Sequence, residues 1–389
     1  MGGTTMKKLL VIVGLLFVTN SIADEFSDFK KQQEAGYTLY KKTIEEQFLE
    51  YRKAHQEAFN EFSQEIEKKW PNYNGKAVLS TKNRYVEYAK NLNSKKIVDY
   101  AKQNISLAVI ATTQEEAKKK LAVMFDDLLK ETVKTAHKKD LLEKKIAVKL
   151  KKPLKIVTSN KQLIADILTA REKATMKNEL QSQDLAVVKY KGKFIYKANV
   201  KMPPDSMIRK AKTFKKEVLA NSHKQNIPAE LVFAIIHSES SFNPMARSHI
   251  PAFGLMQIVP KSAGVDSYRY LYKKKKILSS EYLYDSSKNI TIGSGYLHIL
   301  YYRYLKKITN PQSRLYCTIA AYNTGAGNVA KTFTGNRNIN KAAITINKLT
   351  PEQVYTKLMS NLPYNETKKY LKKVNDRVAA YNKLLATSL

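Results

Sequence analysis

Residues 228–239 read Pro228-Ala-Glu-Leu-Val-Phe-Ala-Ile-Ile-His-Ser-Glu239, and Ser-Ser-Phe-Asn-Pro244 follows at once. A proline in the first turn and a polar, proline-closed run at the end bound a helix. On a wheel of about 100° per residue with Leu231 at zero, Ile235 falls near ~40°, Val232 near ~100°, Ile236 near ~140° and Glu239 near ~80°. The glutamate therefore sits inside the apolar stripe, at the C-terminal end. There it loses hydration and meets the negative end of the helix dipole, and both effects raise a carboxyl pKa. A carboxylic acid protonated near neutrality is what a general acid requires. Two plainer readings stay open on this stretch alone: a buried glutamate paired with a lysine, or a helix that ends by Ser238 and leaves Glu239 in water.

Downstream come Gly254-Leu-Met-Gln257, Ala321-Tyr-Asn323 with Gly325-Ala-Gly327, and Glu366-Thr-Lys-Lys-Tyr370. Together with Glu239-Ser240, in this order, these pieces resemble the lytic transglycosylase domain with its lysozyme-like helical fold. Glu239–Pro244, Gly254–Gly264, Asn289–Gly293 with Tyr296-Leu297, and Thr350–Tyr355 narrow the resemblance to the membrane-bound C-type murein transglycosylases. It is detailed from 226 to 377 and one of organisation only before that.

The resemblance implies peptidoglycan as substrate, cut between N-acetylmuramic acid and N-acetylglucosamine with a 1,6-anhydro end left on the muramic acid. It implies Glu239 as acid and then base, Tyr370 holding it, and Ser248, Gly254, Met256, Gln257, Tyr322 and Asn323 against the substrate, with no metal and no cofactor. Gln257 and Asn323 offer amide donors and acceptors; Met256 is a soft wall or core filler; Gly254 allows close approach of a substrate or serves a turn. Ordinary glycosidases flank the bond with two carboxylates. Asp266, Glu281, Asp285 and Glu366 are in range along the chain, with surface salt bridging the default for each. Two alternatives stand beside this reading: a hydrolytic muramidase on the same scaffold, and a non-catalytic wall-binding scaffold.

The N-terminus supplies an address. Met6-Lys-Lys, an apolar run from Leu9 to Val18 and a small-x-small end at Ser21 and Ala23 make a secretory signal with cleavage expected after Ala23. The run is short of the ~20 residues of a spanning helix, and the competing reading is an uncleaved anchor. C-type relatives are lipoproteins, whereas this chain has no cysteine at its cleavage site, so a periplasmic enzyme without a lipid anchor is expected.

The 389 residues carry 68 basic and 34 acidic side chains, a net charge of +34. Only ten of the cations are arginine, so the surface is a diffuse lysine field suited to polyanions in general. Export excludes nucleic acid and leaves an anionic wall or peripheral contact with a membrane. Cys317, the single cysteine, lies in an apolar run and reads as a buried thiol rather than a nucleophile. His237 and His249 fit no zinc spacing.

The expected fold is an α+β N-terminal domain followed by an all-α lysozyme-like catalytic domain. After the signal, 1–23, the α+β domain covers 24–202 and the catalytic domain 203–389, with Met202-Pro-Pro-Asp205 between them. Within the first, helical spacing runs from Asp24 to Trp70, period-two patterning over 83–111 predicts an antiparallel meander, and a helix is expected from Gln114 to about His137. Lys191-Gly192 marks a hairpin. No catalytic chemistry is legible there. Fifteen of the 24 tyrosines lie beyond residue 203, where aromatic faces such as Tyr268, Tyr270 and Tyr272 could stack on sugars.

Overall fold

A computed structural model describes residues 43–71 and 77–387. The signal segment, and the expected helical stretch before residue 43, lie outside the described residues. The chain divides into two compact units, Met1–Tyr51 and Arg52–Leu389. Of the first unit, residues 43–51 are described and are helical.

The second unit opens with helix over 52–69. Ala58, Phe62 and Ile66 recur every fourth residue, and they are buried together with Trp70 just beyond the helix. The Trp70 indole N–H donates to the Leu92 carbonyl at 2.9 Å. The Phe62 and Trp70 rings both meet Tyr88 edge-on, with centroids 6.0 Å apart. This helix thus packs on the sheet that follows, as expected of a stretch whose polar face carries both charge signs.

Strands β1 (Arg84–Tyr88), β2 (Ser94–Asp99) and β3 (Asn104–Ala111) form the meander, and β4 (Ala186–Tyr190) and β5 (Lys193–Lys201) the hairpin. They join in the order β1-β2-β3-β5-β4, every pair antiparallel. Lys191 and Gly192 have φ of 46° and 74°, the left-handed pair that a two-residue type I′ turn requires. Helix Gln114–Lys130 covers β3 and β5 with Leu121, Phe125 and Leu128, all fully buried.

The helix expected to run to His137 instead breaks after Lys130. Thr132 caps a second helix, Val133–Lys139, through a reciprocal capping box with Thr135. Glu131, at the break, is buried and ion-paired to Lys96 and Lys139. Satisfying that carboxylate and the cap outweighs one more turn of an amphipathic helix whose apolar positions continue in register.

Beyond Lys201 the described chain is helical with connecting turns. Helices Ala229–Ser240 and Pro311–Thr324 both pack against Asn365–Thr387. Two stretches, Pro260–Gly264 and Leu300–Tyr304, are π-helical, a departure often found where a helix must re-aim its side chains. Among the described residues no helix is long and apolar enough to cross a membrane.

One buried ion cluster ties the sheet-bearing half to the helical half. Arg247 pairs with Asp140 and faces Glu143 at 3.7 Å, while the Ser280 hydroxyl donates to Glu143 at 2.9 Å. Arg247, Glu143 and Ser280 are all buried. Removing one member of such a pair strands the other charge away from water.

Candidate active site

Helix Ala229–Ser240 carries Glu239 within its last turn, which eliminates the reading in which the helix stops short of it. Leu231, Val232, Ile235 and Ile236 have no exposed surface, and Glu239 retains 9%. Among the described residues it makes no ion pair, so the paired-lysine reading falls as well. Burial pushes its carboxyl from 4.5 up to about 7. The Tyr370 hydroxyl, then Lys82, oppose the rise, Glu366 adds to it, and Lys373 opposes it again.

The turn after the glutamate fixes where it points. Ser241 and Phe242 both adopt left-handed φ, 51° and 61°, a costly conformation for residues with a Cβ. Phe242 compensates by full burial, stacked on Phe214 with centroids at 6.2 Å and tilted against Phe233 and His237 at 6.4 and 5.7 Å. Asn243 then braces the bend: its amide Oδ1 accepts from the Met245 N–H at 3.0 Å, and Nδ2 reaches the Lys82 carbonyl at 3.3 Å. Lys82 thereby comes to the Glu239 end of the helix from the sheet-bearing half, where sequence patterning showed no chemistry.

Several of the residues singled out in the sequence gather around Glu239. Tyr370, on helix Asn365–Thr387, has its hydroxyl buried beside the carboxyl, close enough to bias it electrostatically, yet without a hydrogen-bond partner of good geometry among the described residues. Tyr322 feels the Glu239 charge and donates its hydroxyl to the Met256 carbonyl at 2.8 Å. Asn323, next along the same helix, accepts from the Thr367 hydroxyl at 2.7 Å. Its amide donors make no hydrogen bond to the described residues. Tyr322 and Asn323 therefore link the Gly254–Gln257 loop, by way of Met256, to the helix bearing Tyr370.

The loop itself is built for shape. Gly254 has φ of 72°, and a Cβ there would lie 2.3 Å from the Leu283 carbonyl and 2.4 Å from the Asn289 amide. That requirement is internal packing, the turn-glycine reading. Gln257 donates from Nε2 to the Gly254 carbonyl at 3.0 Å, while its Oε1 is buried without a partner among the described residues. Met256 is fully buried, and its sulfur occupies the space a side chain on Gly293 would need. It fills core rather than lining an open surface. Ser248 spends its hydroxyl on the 248–252 loop, donating to the Ile250 carbonyl and accepting from the Ala252 N–H at 3.1 Å.

Sequence reasoning undervalued Asn289. Fully buried, it accepts from the Met256 N–H and donates to the Phe253 and Leu283 carbonyls, each at 2.8 Å. It uses both amide hydrogens and clamps the loop from behind. The available signal was an amide directly before the Ile290–Gly293 stretch of its helix, where burial calls for a satisfied hydrogen-bonding role.

Glu366 is exposed and acts on Glu239 only through its charge. Asp285 caps helix Ser286–Ile299 by accepting from the Lys288 N–H, and Asp266 receives the Tyr304 hydroxyl at 3.3 Å. The site is thus organised around one carboxyl. Cys317 is buried, with its thiol pushed up by desolvation, and His237 takes part in the aromatic packing with its Nδ1 3.1 Å from the Tyr381 hydroxyl. Among the described residues no group of three or more His, Cys, Asp or Glu is placed to hold a metal ion.

A single buried carboxyl on a helix end, with a tyrosine hydroxyl buried beside it, has the properties that a general acid requires. Residues 217–345 match the family described as the transglycosylase SLT domain. The membrane-bound lytic murein transglycosylase C of Salmonella arizonae is 39% identical over 191 residues, 49% of this chain and 52% of the relative. That of Shigella sonnei is 38% identical over 208 residues, 54% of this chain and 56% of the relative. The chain spans about half the length of the curated relatives it matches. The 70 kDa soluble lytic transglycosylase of Escherichia coli superposes with a TM-score of 0.35 at 16% identity, over 69% of this chain and 43% of that one, too loosely to assign anything.

Proposed function

We propose that the protein is a lytic transglycosylase that cleaves the β-1,4 bond between N-acetylmuramic acid and N-acetylglucosamine in peptidoglycan, with Glu239 as its sole acid and base. The observation that carries this reading is the burial of Glu239, which holds its carboxyl near 7 and so keeps a transferable proton at neutral pH.

Protonated Glu239 donates to the glycosidic oxygen while the C1–O bond breaks, and positive charge develops at C1 and the ring oxygen. The carboxylate left behind stabilises that charge. It then removes the proton of the same sugar's C6 hydroxyl, whose oxygen attacks C1 and closes the 1,6-anhydro ring. Glu239 ends protonated, as it began. A water nucleophile would need a second, positioned carboxylate; the one that acts on Glu239, Glu366, is exposed and does so only through its charge, alongside Tyr370, Lys82 and Lys373. Tyr370 orients the carboxyl. The free donors of Asn323 and the unpartnered Oε1 of Gln257 suit sugar hydroxyls or N-acetyl groups. Tyr322 stands beside the acid, Gly254 and Met256 set the shape of the loop, and Ser248 holds the loop preceding it.

We take residues 203–389 as the catalytic domain and 24–202 as an α+β domain that contributes Lys82 to the site's surroundings. The cell envelope is the matching location, reached by export and cleavage after Ala23, with the lysine surface favouring the anionic wall or a membrane face. Digestion of purified sacculi followed by mass spectrometry tests the reading. Anhydro-muropeptides from wild type and none from Glu239→Gln are expected. Products heavier by one water would establish hydrolysis, and solubilisation by the variant at the wild-type rate would remove Glu239 from the chemistry.

A further inference from the structure

A second concave site lies where helix Val265–Tyr272 packs beside Ser286–Ile299 and the π-helical stretch Leu300–Tyr304. Asp266, Arg269, Tyr270, Lys273, Arg303 and Tyr304 line a pocket of about 440 Å³. The Arg303 guanidinium lies over the Tyr270 ring, 4.6 Å from its centroid. Tyr270 is stacked in turn on His298 at 4.7 Å and 14°, and His298 Nδ1 is 2.9 Å from the Gln225 carbonyl. The Arg303 guanidinium is therefore seated over the Tyr270 ring, and its N–H donors make no hydrogen bond among the described residues. Among the described residues neither the Arg269 nor the Arg303 guanidinium makes a hydrogen bond or an ion pair within 4.0 Å, and Arg269 reaches Asp266 only through its charge. The only carboxylate in the pocket, Asp266, already receives the Tyr304 hydroxyl, which leaves an excess of cations.

This pocket connects with the catalytic acid. Tyr296 is electrostatically linked to Asp266 and Tyr304, and its ring meets Tyr322 at 5.7 Å, the tyrosine beside Glu239. Tyr322 and Tyr296 thus lead from the proposed site of bond cleavage toward Arg269 and Arg303. Aromatic faces suit sugar rings, and a planar guanidinium with free edges suits a carboxylate bidentately.

Resting on the function proposed above, we infer that the pocket of Arg269, Tyr270, Lys273 and Arg303 is a second binding station, which grips a carboxylate of the peptide substituents on the same glycan strand that Glu239 cuts. It would select strands that still carry their peptides and hold them away from the reacting bond.

Two substrates separate this from the parent reading: glycan strands with their peptides, and the same strands stripped by an amidase. All three side chains to be exchanged are exposed, so the fold tolerates their loss. For Arg269→Gln/Arg303→Gln, KM on peptide-bearing strands should rise on the order of tenfold more than on stripped strands, with kcat changed little. Arg303→Lys keeps the charge without the fork and should recover only part of the loss. Lys273→Gln should show the same bias more weakly. Equal penalties on both substrates, or a loss confined to kcat, would overturn the second station while leaving the catalytic reading intact. A wild-type enzyme that cuts neither strand would overturn both.

Discussion

Replacing Glu239 by glutamine should stabilise the protein at neutral pH while leaving it near wild type in acid. Burial holds the folded-state carboxyl at about 7 against 4.5 for the free side chain, so the folded chain binds this proton more tightly than the unfolded chain does. The stability this proton contributes is complete below about 4.5 and is lost as pH rises through 7. At about 1.4 kcal/mol per pH unit, the interval between the two values amounts to on the order of 3 kcal/mol. Glutamine keeps the shape without the titration, and Glu143, also raised by burial to about 7, titrates in both proteins and cancels in the difference. Urea unfolding of wild type and Glu239→Gln across pH 4 to 9 measures it. The variant's advantage should grow by about 3 kcal/mol between the ends of that range. Parallel stability curves would show that the glutamate titrates like a solvated one, and the general-acid reasoning would fail with it.

Tyr370→Phe removes a hydroxyl that favours the Glu239 carboxylate, so the alkaline limb of the kcat/KM profile should move to higher pH as the rate falls; a downward move would reverse the assigned role. Asn289→Ala takes away the bonds of the Met256 N–H and the Leu283 carbonyl, while the Phe253 carbonyl keeps the Ile258 N–H, and should cost at least about 2 kcal/mol in denaturant unfolding, with activity lost beyond what the stability change explains. Gly254→Ala imposes both a left-handed φ and a clash with the Leu283 carbonyl, and should cost roughly 3 kcal/mol or more by the same measurement. Asp140→Ala takes away the nearer partner of the buried Arg247 and leaves it Glu143 at 3.7 Å, and should cost about 3 kcal/mol, recovered in part when Arg247→Met is added.

The helical half and its acid were legible because one helix concentrates the signal. Nine apolar or small residues surround a glutamate whose wheel position alone predicts burial, and the structure places it there. The hairpin at Lys191-Gly192 was legible for a comparable reason, since few dipeptides tolerate two left-handed residues in succession. The break at Glu131 was not. Local periodicity carries straight through it, and what ends the helix is the meeting of Glu131 with Lys96, a residue 35 positions earlier. Long-range pairing also hid the Arg247, Asp140 and Glu143 cluster and the approach of Lys82 to the site. Met256 shows the opposite case. Its place in the motif left a wall against substrate and a core filler both open, and the absence of a Cβ on Gly293 opens a core slot that the thioether fills.

A direct carboxyl titration bears hardest on the whole account. The ¹³C resonance of the Glu239 side chain, identified by its absence from Glu239→Gln, should move with a midpoint near 7 in the free enzyme. A midpoint near 4.5, the value of an unburied glutamate, would contradict the acid-then-base chemistry at its first step.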